Sequence, residues 1–350
     1  MYANSYDIIV IGTGPAGANF LRLVDSKKYK ILAIDGSYGE EKVCGGLLSK
    51  ATQDVLARYN LSIPKDILVS PQLFSVKTID LANGYTRYYR RGYLNVSRRG
   101  FDEFLVGMIP SSVELMEARC KSVEAVDGGY VVTVGEEKYF AKYVVGADGA
   151  NSLVRRTFCK NKPIRRYTSI QQWFDASKTA PFYSCVFDNK TSDACSWIFF
   201  KDDKAVFGGA FPIRKSREAF EAQKRRLAEL GILPEEMLSA PIRTEACLVD
   251  CPRSAKSVCT GVGSALLIGE AAGLISANSF EGISYALLSG EALAKAFNKS
   301  SDSVIRHYAK LIRPLKRKVT ARCIMRPFMC NQFLRNLVMR SGITSIKVDE

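Results

Sequence analysis

Histidine is almost absent: the 350-residue chain holds one, His307, inside a basic segment late in the sequence. One imidazole cannot build a histidine triad or a histidine metal centre, so neither is expected. The ten cysteines at positions 44, 120, 159, 185, 195, 247, 251, 259, 323 and 330 contain no C-x-x-C pair. Structural zinc is therefore not expected, and thiols scattered through a long chain read as free cysteines in a reducing compartment. Also missing is any run of about 18 uncharged apolar residues, the length a spanning helix needs. The most apolar region, 265–297, is broken by Glu270, Glu281 and Glu291. Near the N-terminus, Asp7 interrupts the apolar run and glycines follow at once, which is not the pattern of a signal peptide. These absences leave an organic cofactor to carry any chemistry, and a cytoplasmic location is the expectation.

What is present begins with that same run. Tyr6 to Ile11 is β-rich and ends at glycine, so it predicts a buried strand, with a helix from Pro15 to Val24 after the turn. Gly12, Gly14 and Gly17 form G-x-G-x-x-G: the first permits the turn, the second admits a pyrophosphate, and the third lets helix pack on strand. Pro15 and Ala16 open the helix, whose unpaired N–H groups would face the phosphates. Lys30 to Ile34 predicts a second strand, and Asp35 at its tip sits where a carboxylate would bond ribose hydroxyls. A glycine-rich turn without ligand is the bland alternative. The spacing to Asp35 favours a bound dinucleotide.

Two later segments share one grammar. Tyr143 to Gly149 and Ala265 to Gly273 are each a buried strand, then a carboxylate (Asp148, Glu270) among small residues opening a helix. Together with Arg98 and Phe101-Asp102, their order resembles the para-hydroxybenzoate-hydroxylase-type FAD superfamily. That resemblance implies non-covalent FAD, with Arg98 beside it, Asp148 and Gly149 in the middle motif, and Gly269, Glu270 and Gly273 near its ribityl and pyrophosphate groups. Within that superfamily, Lys42 to Leu47, containing Cys44, Gly45 and Gly46, is similar to the K-x-C-G-G segment of the geranylgeranyl-reductase branch. Trp197-Ile198-Phe199 resembles the core of that branch's substrate-pocket motif, and Glu281, Gly282 and Ile283 its late FAD segment. The leading proline, the tyrosine and the final proline of P-x-x-Y-x-W-x-F-P are replaced here by Ser192, Cys195 and Phe200. Glu270 stands where aspartate is usual.

The resemblance implies an α/β (α+β overall) chain: a Rossmann-like FAD-binding domain, an antiparallel-sheet substrate domain and a helical C-terminus. The expected borders are 1–70, 93–160 and 255–300 for the first, 71–92 and 161–254 for the second, and 301–350 for basic helices. Val123–Val126 and Tyr130–Val134, around Asp127-Gly128-Gly129, predict a hairpin, and Ser216 to Leu230 a solvated amphipathic helix. Trp173, Tyr183, Trp197 and Phe199 are candidates for a pocket lining, or else core aromatics. Cys44 is either a proton donor near the flavin or a packed small residue.

Charge completes the reading. The net charge is +15, and 305–340 interleaves basic with apolar residues. Such a segment docks on an anionic membrane surface, or else caps a domain with a solvated basic face. No nucleic-acid reader motif is present. The expected activity is reduction of a carbon–carbon double bond in an apolar, isoprenoid- or lipid-like substrate by hydride from reduced flavin. No second G-x-G-x-x-G exists, so no dedicated NAD(P)H domain is expected and the sequence leaves the electron donor open, NAD(P)H and a ferredoxin being the candidates. The alternatives are a flavin monooxygenase acting on an apolar or aromatic substrate, and a non-catalytic flavin-binding protein at a membrane.

Overall fold

A computed structural model describes residues 4–36 and 42–348. These divide into two compact units. The first comprises residues up to 41, 99–165 and 250–321, and the second 42–98, 166–249 and 322 onward.

In the first unit, β1 (Ser5–Ile11), β2 (Ile31–Asp35), β6 (Glu114–Glu117), β9 (Glu137–Gly146) and β16 (Ala265–Leu267) form a parallel sheet in the order β16-β9-β1-β2-β6. β15 (Gly261–Val262) extends the edge beside β16. The predicted hairpin is β7 (Cys120–Val126) and β8 (Gly129–Val134), with β8 joining β9 antiparallel. β1 and β2 are buried almost throughout, as strands covered on both faces must be. Helix α1 (Pro15–Leu23) packs against α6 (Ile283–Lys299), where an added Cβ on Gly290 would lie 2.5 Å from the Ala16 carbonyl. Only glycine permits that approach. Also here are α3 (Arg98–Val106, its first residue belonging to the other unit), α4 (Leu153–Phe158) and α7 (Val304–Leu311).

The second unit is built on a sheet ordered β14-β10-β13-β12-β11-β4-β5-β17, with β3 beside β5. Its strands are β3 (Leu47–Ser49), β4 (Leu73–Asp80), β5 (Tyr85–Asn95), β10 (Arg165–Asp175), β11 (Phe182–Phe187), β12 (Cys195–Lys201), β13 (Lys204–Pro212), β14 (Arg243–Cys251) and β17 (Ser345–Ile346). The expected antiparallel pairing is broken where β11 runs parallel to β4. Side chains alternate across this sheet. Ile170, Phe174, Ile198, Phe200 and Phe207 share a core with Phe220 and Leu227 of α5 (Ser216–Glu229), whose outward residues Arg217, Glu218, Arg225 and Glu229 are exposed. Helices α2 (Lys50–Arg58), α8 (Arg313–Cys330, which crosses the unit border) and α9 (Gln332–Ser341) complete the chain.

Three expectations change. Residues 42–70 belong to the second unit, because β3 pairs with β5 there, and 301–321 belong to the first. The sequence Lys201-Asp202-Asp203-Lys204 reads as a turn, but Lys201 closes β12 and is buried, so the turn consists of Asp202 and Asp203 alone. The cysteines are not all free: Cys159 and Cys259 form a disulfide across 100 residues of sequence. The fold brings the end of α4 next to the approach to β15, a meeting that spacing alone cannot reveal. Among the described residues no helix is long and apolar enough to cross a membrane.

Closing a loop of that length removes unfolded-state entropy worth about 4–5 kcal/mol. Replacing both Cys159 and Cys259 with serine is expected to lower the urea-unfolding free energy by an amount of this order, and reducing the native protein should do the same. Equal midpoints with and without reductant would show that the bond adds no constraint.

Candidate functional site

The parallel strands of the first unit bring the three sequence motifs to one edge. Ile34, Ile11, Gly146 and Leu267 are consecutive partners across β2, β1, β9 and β16. Immediately beyond them come Asp35, Gly12, Asp148 and Gly269-Glu270. Ligands of open α/β sheets bind at such carboxyl-terminal strand ends.

The fingerprint turn has the required shape. Gly12 has φ +98°, and a Cβ on Gly17 would lie 1.9 Å from the Gly12 carbonyl oxygen. Gly14 is different in kind, since a Cβ there would meet nothing within 4 Å. That open space lies at the start of α1, whose first turn receives no side-chain cap. An anion can therefore reach the N–H groups there. Asp35 accepts hydrogen bonds at Oδ2 from the Thr13 N–H (2.6 Å) and hydroxyl (2.5 Å). Thr13 thus aims the carboxylate, a role that the glycine pattern does not signal.

The middle and late motifs meet through a buried cation. Arg155 donates to the carbonyls of Ala271 (3.1 Å), Lys162 (2.8 Å) and Ser257 (2.7 Å). Asp148 accepts the Leu153 N–H at 2.6 Å through Oδ2, while its Oδ1 is buried without a hydrogen-bond partner. Burial pushes the Asp148 carboxyl above its usual range, against bonds from the Ser152 hydroxyl and the Leu153 and Val154 N–H groups. Gly149, Gly269 and Gly273 all adopt positive φ, and a Cβ on Gly269 would lie 2.8 Å from the Ala16 Cβ. Glu270 accepts the Asp250 N–H at 2.9 Å. Gly282 caps α6 and Ile283 begins it, but Glu281 already takes the Ser284 N–H and hydroxyl, each at 2.9 Å. The α6 terminus is thus served by its own carboxylate.

The remaining predicted residues lie in the second unit. Trp173, Tyr183, Trp197 and Phe199 gather on the sheet face opposite α5, with Tyr183 stacked on Phe199 at 6.3 Å. Gly45 rests on that face, where an added Cβ would lie 3.1 Å from the Phe199 ring. Gly46 has φ +62°, and its Cβ would strike the Val96 carbonyl at 2.3 Å. Beneath it the buried Lys201 donates to the Asn95 side chain (2.9 Å) and to the Val96 carbonyl (2.6 Å). Cys44 is half-buried, and Arg98 is buried at the start of α3. Trp197, Gly208 and Gln171 are partners across β12, β13 and β10, and the indole nitrogen occupies the space that a Cβ on Gly208 would fill. Glu245 accepts from Gln171 and from Trp173 Nε1 (2.9 Å), whereas Trp197 Nε1 and Gln171 Oε1 are buried without partners. Burial among Cys195, Cys185 and Tyr93 holds the Tyr183 hydroxyl protonated, well above its usual range.

A scan of family models matches the description "Lycopene cyclase protein" over residues 7–244. Protein CbrA of Escherichia coli is 37% identical over 351 residues, covering 97% of this chain and 94% of CbrA. The chain belongs to the lycopene cyclase protein family and is a relative of CbrA. CbrA of Shigella sonnei is equally similar, at 37% identity with 98% of its length covered. Among solved structures, a geranylgeranyl bacteriochlorophyll reductase-like protein from Thermoplasma acidophilum superposes with TM-score 0.80 at 17% identity, covering 99% of this chain and 94% of that one. PqsL of Pseudomonas aeruginosa, a probable FAD-dependent monooxygenase, gives 0.71 at 16% identity, covering 97% and 100%. At such identities the likeness establishes a shared fold. In this chain the fingerprint, middle and late motifs lie on one edge of the first unit's sheet.

Asp148 supplies a test of that edge. Its ionised form is the costly one in the ligand-free protein, so the stability linked to its raised pKa is present at low pH and lost as pH rises through that pKa. Asp148→Asn should therefore melt above the wild type at neutral pH. The gap should close as pH falls toward the ordinary carboxylate range, near 4. A pH-independent gap measured by thermal unfolding would remove desolvation as the cause.

Proposed function

We propose that the protein is an FAD-dependent oxidoreductase that saturates a carbon–carbon double bond in an apolar, isoprenoid- or lipid-like substrate. The observation that carries the cofactor reading is the alignment of Gly12-Gly14-Gly17, Asp35, Asp148 and Glu270 on one parallel-strand edge. The residues fit the group. Gly14 leaves room for a pyrophosphate, Asp35 is aimed for ribose hydroxyls, and the buried Asp148 Oδ1 lacks a donor. Gly14, Asp35 and Asp148 would hold FAD, which, once reduced by a donor such as NAD(P)H or a ferredoxin, would supply a hydride for one alkene carbon. Cys44 gives the proton to the other carbon and is reprotonated from solvent.

The reductase reading draws on the geranylgeranyl bacteriochlorophyll reductase-like neighbour and on the Cys44-Gly45-Gly46 loop resting against Phe199. The aromatic face of Trp173, Tyr183, Trp197 and Phe199 holds an apolar chain and excludes water. Trp197 Nε1 and Gln171 Oε1 offer one donor and one acceptor to a polar group on that chain.

Two measurements test this reading. Asp35→Ala should weaken FAD binding to the apoprotein about 10-fold or more, the loss of charge-assisted bonds worth about 1.5–3 kcal/mol. Isothermal titration reads it directly, and an apoprotein that ignores FAD would end the proposal. Photoreduced protein mixed anaerobically with polyprenyl alkenes should yield products two hydrogens heavier. Cys44→Ala should slow that step by about 100-fold or more while FAD stays bound. Oxygen incorporated in air, with no saturation, would instead identify a monooxygenase.

A further inference from the structure

In the second unit, two helical layers flank one sheet, and their outer faces differ. The outward side of α5 carries exposed charges, the ordinary arrangement for a helix in water. The outward side of α8 and α9 carries Ile324 (66% exposed), Phe328 (50%), Phe333 (71%) and Leu337 (66%), with Ile343 (66%) just beyond. Positions 324 and 328, and 333 and 337, are each one helical turn apart, so each pair shares a face.

This exposure is not looseness. The inner sides of both helices are fastened to the sheet. Arg335 is buried and pairs with Asp80, at 2.9 Å from Nε to Oδ2 and 2.9 Å from Nη2 to Oδ1, and it donates to the Met329 carbonyl at 2.7 Å. Its guanidinium lies 4.6 Å from the Phe187 ring centre. Arg326 donates to the Tyr167 hydroxyl (2.8 Å) and the Asp193 carbonyl (2.9 Å). Cys330 packs with Val76, Cys185, Phe187 and Cys195. With the inner faces so engaged, large apolar side chains are displayed on rigid elements.

The charge of the segment specifies what covers them. From Ile324 to Lys347 the chain carries Arg326, Arg335, Arg340 and Lys347 and no Asp or Glu. Arg340 and Lys347 are exposed beside the apolar set. A second copy of the chain would bring Arg340 and Lys347 of both copies together with no Asp or Glu of 324–347 to pair them, which like-charge repulsion opposes. A bilayer containing anionic lipid accepts both features at once, apolar side chains among acyl chains and cations at the headgroups. We propose that the outer face of α8 and α9, from Ile324 to Lys347, docks the protein on an anionic membrane surface.

This narrows the expectation for 305–340. Toward the start of that stretch, Tyr308, Ile312, Leu315 and Val319 are buried in the first unit. Lys316 lies 3.4 Å from the Thr260 hydroxyl, and Lys318 stands 4.7 Å over the Tyr285 ring. Those lysines are engaged within the fold, and the docking face begins only near residue 324.

The test is co-sedimentation of the purified full-length protein with vesicles of phosphatidylcholine alone or mixed equally with phosphatidylglycerol. Wild type should sediment with the anionic vesicles only, and less so as salt shortens the Debye length from about 10 Å at 0.1 M. Phe333→Ser with Leu337→Ser, and separately Arg340→Glu with Lys347→Glu, should each lower the partition coefficient about tenfold or more. All four side chains are exposed, and unchanged circular dichroism and thermal midpoint check that the variants fold. Equal sedimentation with both vesicle types, none with either, or variants that bind like wild type would overturn the proposal. So would light scattering that shows a dimer dissociated by the Phe333/Leu337 change, since the face would then be a self-interface. None of these readouts involves flavin chemistry, so this proposal and the proposed reaction fail separately.

Discussion

The register of four parallel strands governs the first unit. Because Ile34, Ile11, Gly146 and Leu267 are consecutive neighbours, the segments after them emerge at one edge, although they lie far apart in sequence. A slip of one residue in β9 would exchange its two faces and draw Asp148 away from the fingerprint. The register is held from both sides by burial, since β1, β2 and the end of β9 have no solvent face along which to slide. The glycines then shape the edge: Gly12 turns the chain, Gly17 lets α1 lie on it, and Gly14 keeps the approach open.

Buried cations carry out the fine positioning in both units. Arg155 gathers three carbonyls and so holds the middle motif to the late one. Lys201 supports the strand end beneath the Gly46 turn, and Arg335 holds α9 to Asp80. A buried charge is tolerated only when its hydrogen-bonding capacity is met, and carbonyl oxygens meet it with little added strain. Such clamps cost desolvation but select one arrangement of the chain.

The apolar faces of the second unit differ in what they leave open. One is sealed by α5 and fully packed. The other bears the aromatic group around Trp197 and Phe199, where two buried polar atoms lack partners, and farther along it is covered by α8 and α9. That unmet donor and acceptor in an aromatic setting are what the proposed apolar substrate with one polar group would satisfy. The outward face of α8 and α9 displays Ile324, Phe328, Phe333 and Leu337 instead, the set proposed above to meet lipid.

Local signals account for what could be read from the sequence. The strand–glycine–helix fingerprint, Asp35 at the next strand tip, the Asp-Gly and Gly-Glu turns, the 123–134 hairpin and the α5 helix each reside within a short window, where spacing and residue type dictate backbone geometry. The family resemblance rests on the same short motifs. Tertiary structure decided the rest. Cys159 meets Cys259 across 100 residues, Arg155 reaches Ala271 across 116, and Lys201 reaches Asn95 across 106. No local pattern encodes such pairings, because each is set by where other elements pack. The basic C-terminal stretch shows the division most plainly. Composition makes it cationic and apolar, but the burial of Tyr308, Ile312, Leu315 and Val319 and the exposure of Ile324, Phe328, Phe333 and Leu337 depend on how each helix packs.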